Sequence, residues 1–290
     1  MRKISVVNPA AGQGDAERFA RESQNGAVYV TTCVSDAERY VIEACREDPE
    51  THFFVYGGDG TVNEVINGIM KAGAQSTAAF SVVPVGTGND LLRSFPSDRT
   101  GVYTLDVIKY GDNYAINMLN TGFDSDVVKR VAELKKKPLI SGSGAYIMGV
   151  IASLASSYGQ HMTLDIVRDD DTEEHIDGDF LLCAIANCTY YGGGFRAAPS
   201  ASYNDGILEL LLVNKVSRAT FLRVIGAYKK GDHINPETGE VYPKYSKVLS
   251  SRKCKKISIS GMSDLCVDGE IQPVTQTEIT VMPSQIRLVI

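Results

Sequence analysis

A glycine-rich turn between an apolar strand and an amphipathic helix constrains this chain more than any other stretch. The range Gly57–Thr61 (Gly-Gly-Asp-Gly-Thr) follows the apolar run 53–56, and the helical pattern of 63–69 comes directly after it. Glycines let a backbone approach a ligand closely, and the first N–H groups of a helix bind phosphate. The stretch lacks the spacing of the dinucleotide-binding turn and the Gly-Lys-Ser/Thr of the P-loop. It therefore predicts a different kind of phosphate site, in which Asp59 holds a cation or orders water. A plain tight turn without a ligand is the alternative.

Length, charge and cysteine usage narrow the class of protein. A chain of 290 residues favours two domains, with one large domain as the alternative. The net charge of −6 argues against general nucleic-acid binding. No apolar run reaches the roughly 18 residues that a membrane span needs, and the start of the chain predicts no signal peptide. The six cysteines are expected to be buried thiols in a reducing cytoplasm.

The first hundred residues alternate strand and helix signals. The pattern predicts strands at 3–7, 27–31, 52–56 and 80–83, with helices at 15–23, 35–46 and 61–71 between them. Such alternation predicts a parallel sheet with helices on both faces, which binds ligands at the carboxyl ends of its strands. Three polar loops follow those ends, at 8–12, 57–61 and 86–90.

After about residue 105 the texture changes to short β-rich runs separated by polar or glycine turns, which is typical of an antiparallel sandwich. The predicted strands are 114–118, 162–168, 180–186, 208–213, 256–260, 279–282 and 286–290, with helices near 126–135, 144–156 and 217–230. The predicted fold class is α/β, with an N-terminal three-layer α/β nucleotide-binding domain at 1–105 and a C-terminal antiparallel β-sandwich domain at 106–290.

A second glycine loop strengthens the phosphate hypothesis. The range Pro84–Asp90 (Pro-Val-Gly-Thr-Gly-Asn-Asp) again follows a strand, and its Asn89 or Asp90 could simply cap a short helix. Two such loops on neighbouring strand ends, each with an aspartate, favour a shared phosphate and magnesium site. Phosphoryl transfer needs little beyond positioning, cation charge and a base for the attacking hydroxyl.

The three loops, in this order, resemble the nucleotide-site motifs of the diacylglycerol kinase family of lipid kinases, and most closely its soluble bacterial type. The second half continues the resemblance through Asn187, Tyr191–Phe195, Pro199, Asn204–Glu209, Gly231–His233 and Val267–Glu270. The Gly-Gly-Asp-Gly-Thr motif alone is shared with NAD kinases. Gln13 departs from the family, because many relatives have lysine after the Asn-Pro-x-x-Gly run, and the link from Asp90 to Leu105 is short.

The resemblance implies ATP as a substrate and magnesium as the cofactor. It implies that the ATP site is formed by Asn8, Pro9, Ala10, Ala11, Gly12, Thr31, Gly57, Gly58, Asp59, Gly60, Thr61, Val62, Asn63, Glu64, Gly86, Thr87 and Asn89. It also implies two metal sites. Asp59, Asp90 and Asp106 would form a water-linked network around a catalytic magnesium. Ser202, Asp205 and Ile207 would supply oxygens to a structural magnesium, since hard cations prefer oxygen ligands. A plain turn between strands is the alternative for that segment.

Asp268 and Glu270 are the candidate catalytic residues of the second half. An exposed Asp-Gly is often only a hairpin turn, and the family resemblance favours catalysis. One of the two carboxylates would accept the proton of the lipid's primary hydroxyl. We expect Asp268 to be the base with Glu270 as its partner, and the reverse assignment stays open.

The predicted activity is that of a lipid kinase, with diacylglycerol as the leading acceptor. We expect a cytoplasmic protein that docks transiently on the membrane and binds no nucleic acid. The alternatives are a phosphotransferase acting on another lipid, such as a sphingoid base or a glycerophospholipid, or on NAD, and a catalytically silent regulator that binds nucleotide or lipid. The basic runs at 135–137 and 252–256 are expected to be solvated faces, or else contacts to anionic headgroups. An exposed sandwich edge could pair two copies into a homodimer.

Overall fold

The structure is a computed structural model that describes residues 1–23, 25–85, 90–96, 98, 100–123 and 159–290. Its helices are α1 (Ala16–Ser23), α2 (Asp36–Glu47), α3 (Asp59–Lys71), α4 (Asp90–Arg93) and α5 (Arg218–Lys230). Its strands are β1 (Lys3–Val7), β2 (Ala27–Val30), β3 (His52–Tyr56), β4 (Ala79–Val83), β5 (Val102–Tyr110), β6 (Asn113–Ala115), β7 (Met118–Gly122), β8 (Gln160–Arg168), β9 (Glu173–Ala186), β10 (Leu208–Asn214), β11 (Leu249–Ser260), β12 (Leu265–Val267), β13 (Glu270–Gln272) and β14 (Gln276–Val289).

The N-terminal part is a parallel sheet between two layers of helices, as predicted. Its strands lie in the order β2-β1-β3-β4, and all neighbours are parallel. One face packs against α2 and α3 through residues such as Phe53 and Ile66, and the other packs against α1 through Ala16 and Tyr56. Gly68 lets α2 and α3 approach, because a Cβ there would lie 2.7 Å from the side chain of Val41. The carboxyl ends of β1, β2 and β3 therefore meet at one edge of the sheet.

The C-terminal part is an antiparallel sandwich in which two long strands are shared by both layers. The first half of β9 pairs with β8, and its second half pairs with β7 and β10. Likewise β11 pairs first with β10 and then with β8 and β14. The space between the layers is filled by buried apolar side chains, including Leu164, Ile185 and Leu210. The predicted fold class is thus confirmed.

Strand β14 joins the two parts into one sheet. It pairs antiparallel with β11 and β5, and its end runs parallel to β4, with Leu288 opposite Phe80. Both residues are fully buried in the N-terminal core. The domain boundary predicted at 105/106 falls within β5, and it stays a prediction.

Some predicted elements differ from the structure. The single strand expected at 114–118 is two strands, β6 and β7, because the backbone between them turns to bind a carboxylate described below. The two strands expected at 279–282 and 286–290 are one strand with a bulge between Met282 and Ile286. The helices expected near 126–135 and 144–156, with the basic run 135–137, lie outside the described residues. In the part of the chain that is described, no helix has the length and apolar character needed to cross a bilayer.

The position of Leu288 predicts how strongly the two parts depend on β14. Replacing Leu288 by Ala should lower the free energy of unfolding by about 2–5 kcal/mol, because it leaves a cavity in the N-terminal core. The matched control is Val102→Ala, in the next pair of the β5–β14 ladder, where the residue is 64% exposed. Urea denaturation of the two variants measures the difference. Equal midpoints would show that β14 contributes no packing to this core.

Candidate functional site

The glycine turn after β3 leaves the first turn of α3 open for a ligand. Gly57 is required sterically, since a Cβ there would lie 2.5 Å from the Thr61 side chain. Gly58 is the residue before the helix, and a Cβ at that position would meet no atom within 4 Å. Because no side chain caps α3, its first N–H groups are available to an anion.

A second loop is fastened to this turn. Asn8 donates from Nδ2 to Thr61 Oγ1 at 3.3 Å, and its Oδ1 accepts the N–H of Ala10 at 3.0 Å. Ala11 and Gly12 then begin a 3-10 turn, Ala11–Gly14. Thr31 follows β2 and donates its N–H to Val7 O at 2.8 Å. The predicted nucleotide loops are therefore adjacent in space.

These loops form one wall of a cleft of about 850 Å³. Pro9, Thr31 and Gly58 line one side, and Tyr110 and the segment Asp268–Gln272 line the other. Gly86, Thr87 and Asn89, which are also predicted to contact ATP, lie outside the described residues.

Asp59 lines this cleft, and the buried Asp90 lies beside it. The backbone N–H of Asp90 donates to the Asp59 carboxylate. Burial, together with the charges of Asp90 and Asp268, raises the pKa of Asp59 to about 7. Asp90 is 3% exposed, and burial raises its pKa as well. Its Oδ2 accepts the N–H of Gly193 at 2.7 Å, which ties α4 to the glycine loop of the second half.

Oδ1 of Asp90 is buried and accepts no hydrogen bond among the described residues, and Arg93 Nε lies 3.5 Å from it. A hard cation or its water shell would satisfy such an oxygen. Within the described residues, no three His, Cys, Asp or Glu side chains are grouped so that they alone could hold a metal. The two carboxylates would suit a hard cation such as magnesium only if water and phosphate supplied its remaining ligands.

The Asp268 carboxylate is held by four N–H donors. Oδ1 accepts the backbone N–H of Asn117 and Met118 at 3.1 and 2.9 Å. Oδ2 accepts the backbone N–H of Ile116 at 3.0 Å and Asn63 Nδ2 at 2.9 Å. Burial raises the pKa of Asp268, and these donors oppose the rise. With two donors on each oxygen, the carboxylate has little capacity left for a substrate proton.

Glu270 lies two residues further on and points into the cleft. A Cβ built on Gly60 would lie 2.9 Å from Glu270 Oε1, so the carboxylate stands over the first turn of α3. Desolvation in the cleft, and then the charge of Glu64, raise the pKa of Glu270. Among the described residues no hydrogen-bond donor contacts this carboxylate. Its oxygens are therefore free to accept a proton.

Three further residues of α3 have different surroundings. Asn63 lies in the cleft and bridges Asp268 and Tyr114 O. Val62 is 2% exposed and packs in the core, so only its backbone can face a nucleotide. The Glu64 carboxylate accepts the backbone N–H of Ser35 at 2.8 Å and of Ala37 at 3.1 Å. It thus contacts the loop before α2.

Asp106 is hydrogen-bonded to the Asp205 segment and to β14, and its predicted place in a water-linked magnesium network stays a prediction. It is fully buried, and its two oxygens accept the N–H of Gly206 at 2.6 Å and of Ser284 at 2.7 Å. Both bonds are explained by local structure, because Gly206 is in a turn with positive φ and Ser284 is in the β14 bulge. Asp106 therefore fastens the turn to the sheet.

The remaining residues of the predicted structural metal site form the same turn. Asp205 Oδ1 accepts the N–H of Ile207 at 3.0 Å, and Ser202 Oγ donates to Asn204 at 3.2 Å. Burial raises the pKa of Asp205. These bonds are those of a turn between strands, so a metal at this position stays a prediction.

The basic run at 252–256 is largely neutralised by acidic neighbours. Arg252 contacts Glu174 at 3.0 Å, and the amino groups of Lys255 and Lys256 contact Asp171 and Glu278, each at 2.7 Å. Lys253 Nζ lies 4.0 Å from Glu209. These contacts agree with the expected solvated face and leave little free charge for anionic lipids.

Sequence reasoning missed the polar support of the site. Asn67 donates from Nδ2 to Tyr114 O at 2.8 Å and accepts the Tyr114 N–H at 3.0 Å, which holds β6 against α3. The sequence did contain a signal for this contact, because an asparagine such as Asn67 on the apolar side of a helix needs a buried hydrogen-bond partner. Gly193 belongs to the range Tyr191–Phe195, which carries part of the family resemblance, but its donation to Asp90 could not be predicted, since a backbone donor can belong to any residue.

Two family models together cover almost the whole chain. The model described as "Diacylglycerol kinase catalytic domain" matches residues 3–121, and "YegS C-terminal NAD kinase beta sandwich-like domain" matches residues 117–290. A protein named "Diacylglycerol kinase" from Bacillus subtilis is 26% identical over 88% of this chain and 82% of its own length. One named "Probable lipid kinase YegS-like" from Alcanivorax borkumensis is 31% identical over 64% of this chain. That match spans 63% of the relative's length.

A solved structure has the same fold. The crystal structure of a diacylglycerol kinase from Bacillus anthracis superposes with a TM-score of 0.64 at 18% sequence identity. The match covers 99% of this chain and 96% of the other chain.

The raised pKa of Asp59 predicts a pH-dependent cost in stability. A carboxyl whose folded pKa lies above its unfolded value destabilises the fold increasingly as the pH rises between the two values, here from about 4 to about 7. Asp59→Asn should therefore be more stable than the parent above pH 7, by on the order of a few kcal/mol, and equal to it near pH 4. Urea denaturation across this range measures it, with the exposed turn residue changed as Asp112→Asn for control. Parallel pH profiles for parent and Asp59→Asn would contradict the prediction.

Proposed function

Because the chain belongs to the diacylglycerol kinase and YegS family of lipid kinases, we propose that it transfers the γ-phosphoryl group of ATP to the primary hydroxyl of diacylglycerol. The products are phosphatidic acid and ADP. The observation that carries the proposal is the position of Glu270. A free carboxylate stands over the uncapped first turn of a helix, where a phosphate would bind.

The nucleotide is assigned to the loops around Gly57–Thr61. The N–H groups at the start of α3 would bind its phosphates, and the Asn8 and Thr31 loops would border it on either side. Asp59 and Asp90 would hold magnesium through water. When bound, that ion supplies positive charge to the phosphates, as in other phosphoryl transfers. Its charge would also favour the ionised form of Asp59.

We assign the base to Glu270 and a positioning role to Asp268, which is the reverse of the first assignment made from the sequence. The base must accept a proton from the acceptor's hydroxyl while that oxygen attacks the γ-phosphorus and the bond to ADP breaks. Glu270 has free oxygens for this proton. Asp268 has four donors, and it fixes the turn that carries Glu270.

The charge of the cleft supports an acceptor without a negative headgroup. Its described lining contains five carboxylate side chains and no Lys or Arg: Glu38, Asp59, Glu64, Asp268 and Glu270. Like charges repel more strongly in a cleft with low-dielectric walls. Neutral diacylglycerol suits these walls better than an anionic glycerophospholipid. The cationic amino group of a sphingoid base also suits them, which makes that lipid the second candidate acceptor.

We also propose that the protein docks transiently at the membrane to reach its lipid substrate. Among the described residues no helix spans a bilayer, so the lipid would be reached from the membrane surface. Pairing of two copies through a sandwich edge stays a prediction.

A phosphoryl-transfer assay separates the roles of Asp268 and Glu270. With labelled ATP, magnesium and diacylglycerol in mixed micelles, Glu270→Gln should lower kcat by about 10²–10⁴-fold with little change in stability. Asp268→Asn should lose activity together with stability, because an amide group turned toward N–H donors leaves buried donors unpaired. Transfer assays and thermal denaturation of each variant provide the measurement. The control is Glu278→Gln, which removes a carboxylate of β14 paired with Lys256. Full activity of Glu270→Gln would remove Glu270 from the mechanism.

A comparison of lipid substrates tests the choice of acceptor. With lipid panels at equal surface concentration, kcat/KM for diacylglycerol should exceed that for phosphatidylglycerol by about tenfold or more, since tenfold corresponds to only about 1.4 kcal/mol. Sphingosine and, as a soluble control, NAD complete the panel. Preferred labelling of phosphatidylglycerol would contradict the charge argument. Labelled NAD would identify the rival kinase, and ATP binding without any transfer would favour the silent regulator.

A further inference from the structure

Helix α5 presents a basic outer face in an acidic chain. Its inner face packs on the sandwich through buried or half-buried side chains that include Phe221, Ile225 and Tyr228. The outer face consists of the exposed side chains Arg218, Ala219, Leu222, Arg223, Lys229 and Lys230. The thirteen residues of α5 carry four cations and no carboxylate, although the whole chain has a net charge of −6.

The cations of this face form two rows with an exposed leucine between them. Because successive helical residues differ by about 100° in direction, Arg218 and Lys229 lie on one side of the face. For the same reason Arg223 and Lys230 lie on the other side. Leu222, which is 58% exposed, lies between the two rows. This arrangement is complementary to a lipid surface, since an apolar side chain can enter the acyl boundary while long cationic side chains extend to the headgroups.

The charge of the outer face is available to an external anion. Among the described residues, no carboxylate lies within salt-bridge distance of Arg223, Lys229 or Lys230. The basic run 252–256 differs in this respect, because its cations contact Glu174, Asp171 and Glu278. An anionic membrane therefore attracts α5 more strongly than it attracts the basic run.

The C-terminal end of α5 lies beside the glycine loop that contacts Asp90. Lys229 O accepts the N–H of Arg196 at 3.0 Å, and Lys229 Nζ lies 5.3 Å from the ring centre of Phe195. Gly193 of the same loop donates its N–H to Asp90 at 2.7 Å. A membrane that contacts the outer face of α5 would therefore lie next to a loop of the proposed catalytic centre.

The charge of the outer face argues against a second copy of this chain as its partner. A two-fold interface brings the same surface of both copies together, so four cations would face four cations. A nucleic acid would contact the cations but would leave Leu222 without a role, and the net charge of −6 opposes its approach. An anionic lipid surface satisfies both the charges and the leucine.

We propose that the outer face of α5 docks the protein on the anionic surface of a bilayer, with Leu222 entering the boundary between headgroups and acyl chains. The inference rests on the proposed function, since it assigns the membrane docking of a lipid kinase to one particular surface. It adds no residue to the cleft, so docking and phosphoryl transfer can be tested separately.

Vesicle flotation without nucleotide measures the docking directly. The protein should bind phosphatidylcholine vesicles that contain about 30 mol% phosphatidylglycerol, and should bind pure phosphatidylcholine vesicles much less. Arg223→Gln combined with Lys230→Gln should lower the partition coefficient about thirtyfold, because each cation beside an anionic membrane contributes about fivefold. The matched control is Lys255→Gln combined with Lys256→Gln, which removes the same charge from paired positions and should change binding by less than about twofold.

Two single variants separate the apolar and the ionic contributions to docking. Leu222→Gln should lower vesicle binding about fivefold at low and at high salt, because it removes apolar area and no charge. Ala219→Glu places a carboxylate on the outer face in the first turn of α5, where the helix dipole favours it. It should therefore lower binding at low salt about fivefold without lowering the thermal stability.

Several results would overturn the inference. Equal losses of binding in the two double variants would show that net charge controls binding and not this face. Failure to bind the anionic vesicles would also overturn it, and a dimer that dissociates in Leu222→Gln would then assign the face to a second copy. A transfer assay with a water-soluble short-chain diacylglycerol tests the proposed function separately. Transfer to that lipid without vesicle binding would overturn the inference alone, whereas vesicle binding without any transfer would overturn the proposed function alone.

Discussion

Convergence of four N–H donors on the Asp268 carboxylate is the interaction on which the site depends. Three donors are backbone groups of 116–118, and the fourth is Asn63 of α3. The first three explain why the chain between β6 and β7 is not a continuous strand, because these N–H groups point at a carboxylate and not at a neighbouring strand. The fourth fastens the sandwich to the nucleotide half. A buried carboxylate is stable only when its oxygens are satisfied, so this anchor is rigid.

Because Glu270 is only two residues after Asp268, the fixed position of Asp268 also restricts the position of Glu270. Asp268 and Gly269 both have positive φ, 45° and 96°, which forms the tight turn between β12 and β13. The turn carries Glu270 to a position over α3, where no donor from the described part of the chain contacts its oxygens. The two neighbouring carboxylates thus have opposite surroundings, one saturated and one free. This difference separates a positioning residue from a base, although both are acidic residues of one Asp-Gly-Glu motif.

The N-terminal half was predicted well from the sequence, because its strands, helices and turns follow from patterns of neighbouring residues. Parallel strands such as β1 and β3 are short apolar runs, and glycine turns follow them at one edge. The sandwich was predicted less well. Strand β5 was missed, and β14 was divided in two, because a bulge at Ser284 interrupts its alternation. The contacts of Asp106 to that bulge and to Gly206 could not be predicted, because they join residues far apart in the sequence.

Helix α3 contacts each of the separate parts of the site and so fixes their relative positions. Its first turn faces the proposed phosphate site. Asn63 donates a hydrogen bond to Asp268, and Glu64 accepts one from Ser35 in the loop before α2. Adjacent helical positions differ by about 100° in direction, so Asn63 and Glu64 necessarily face different partners. Small residues are enough to form the glycine turn. Binding a ligand beside it also requires the polar side chains that follow, because they hold the two walls of the cleft in place. A motif search finds the turn, whereas the function depends on the polar contacts one turn further along the helix.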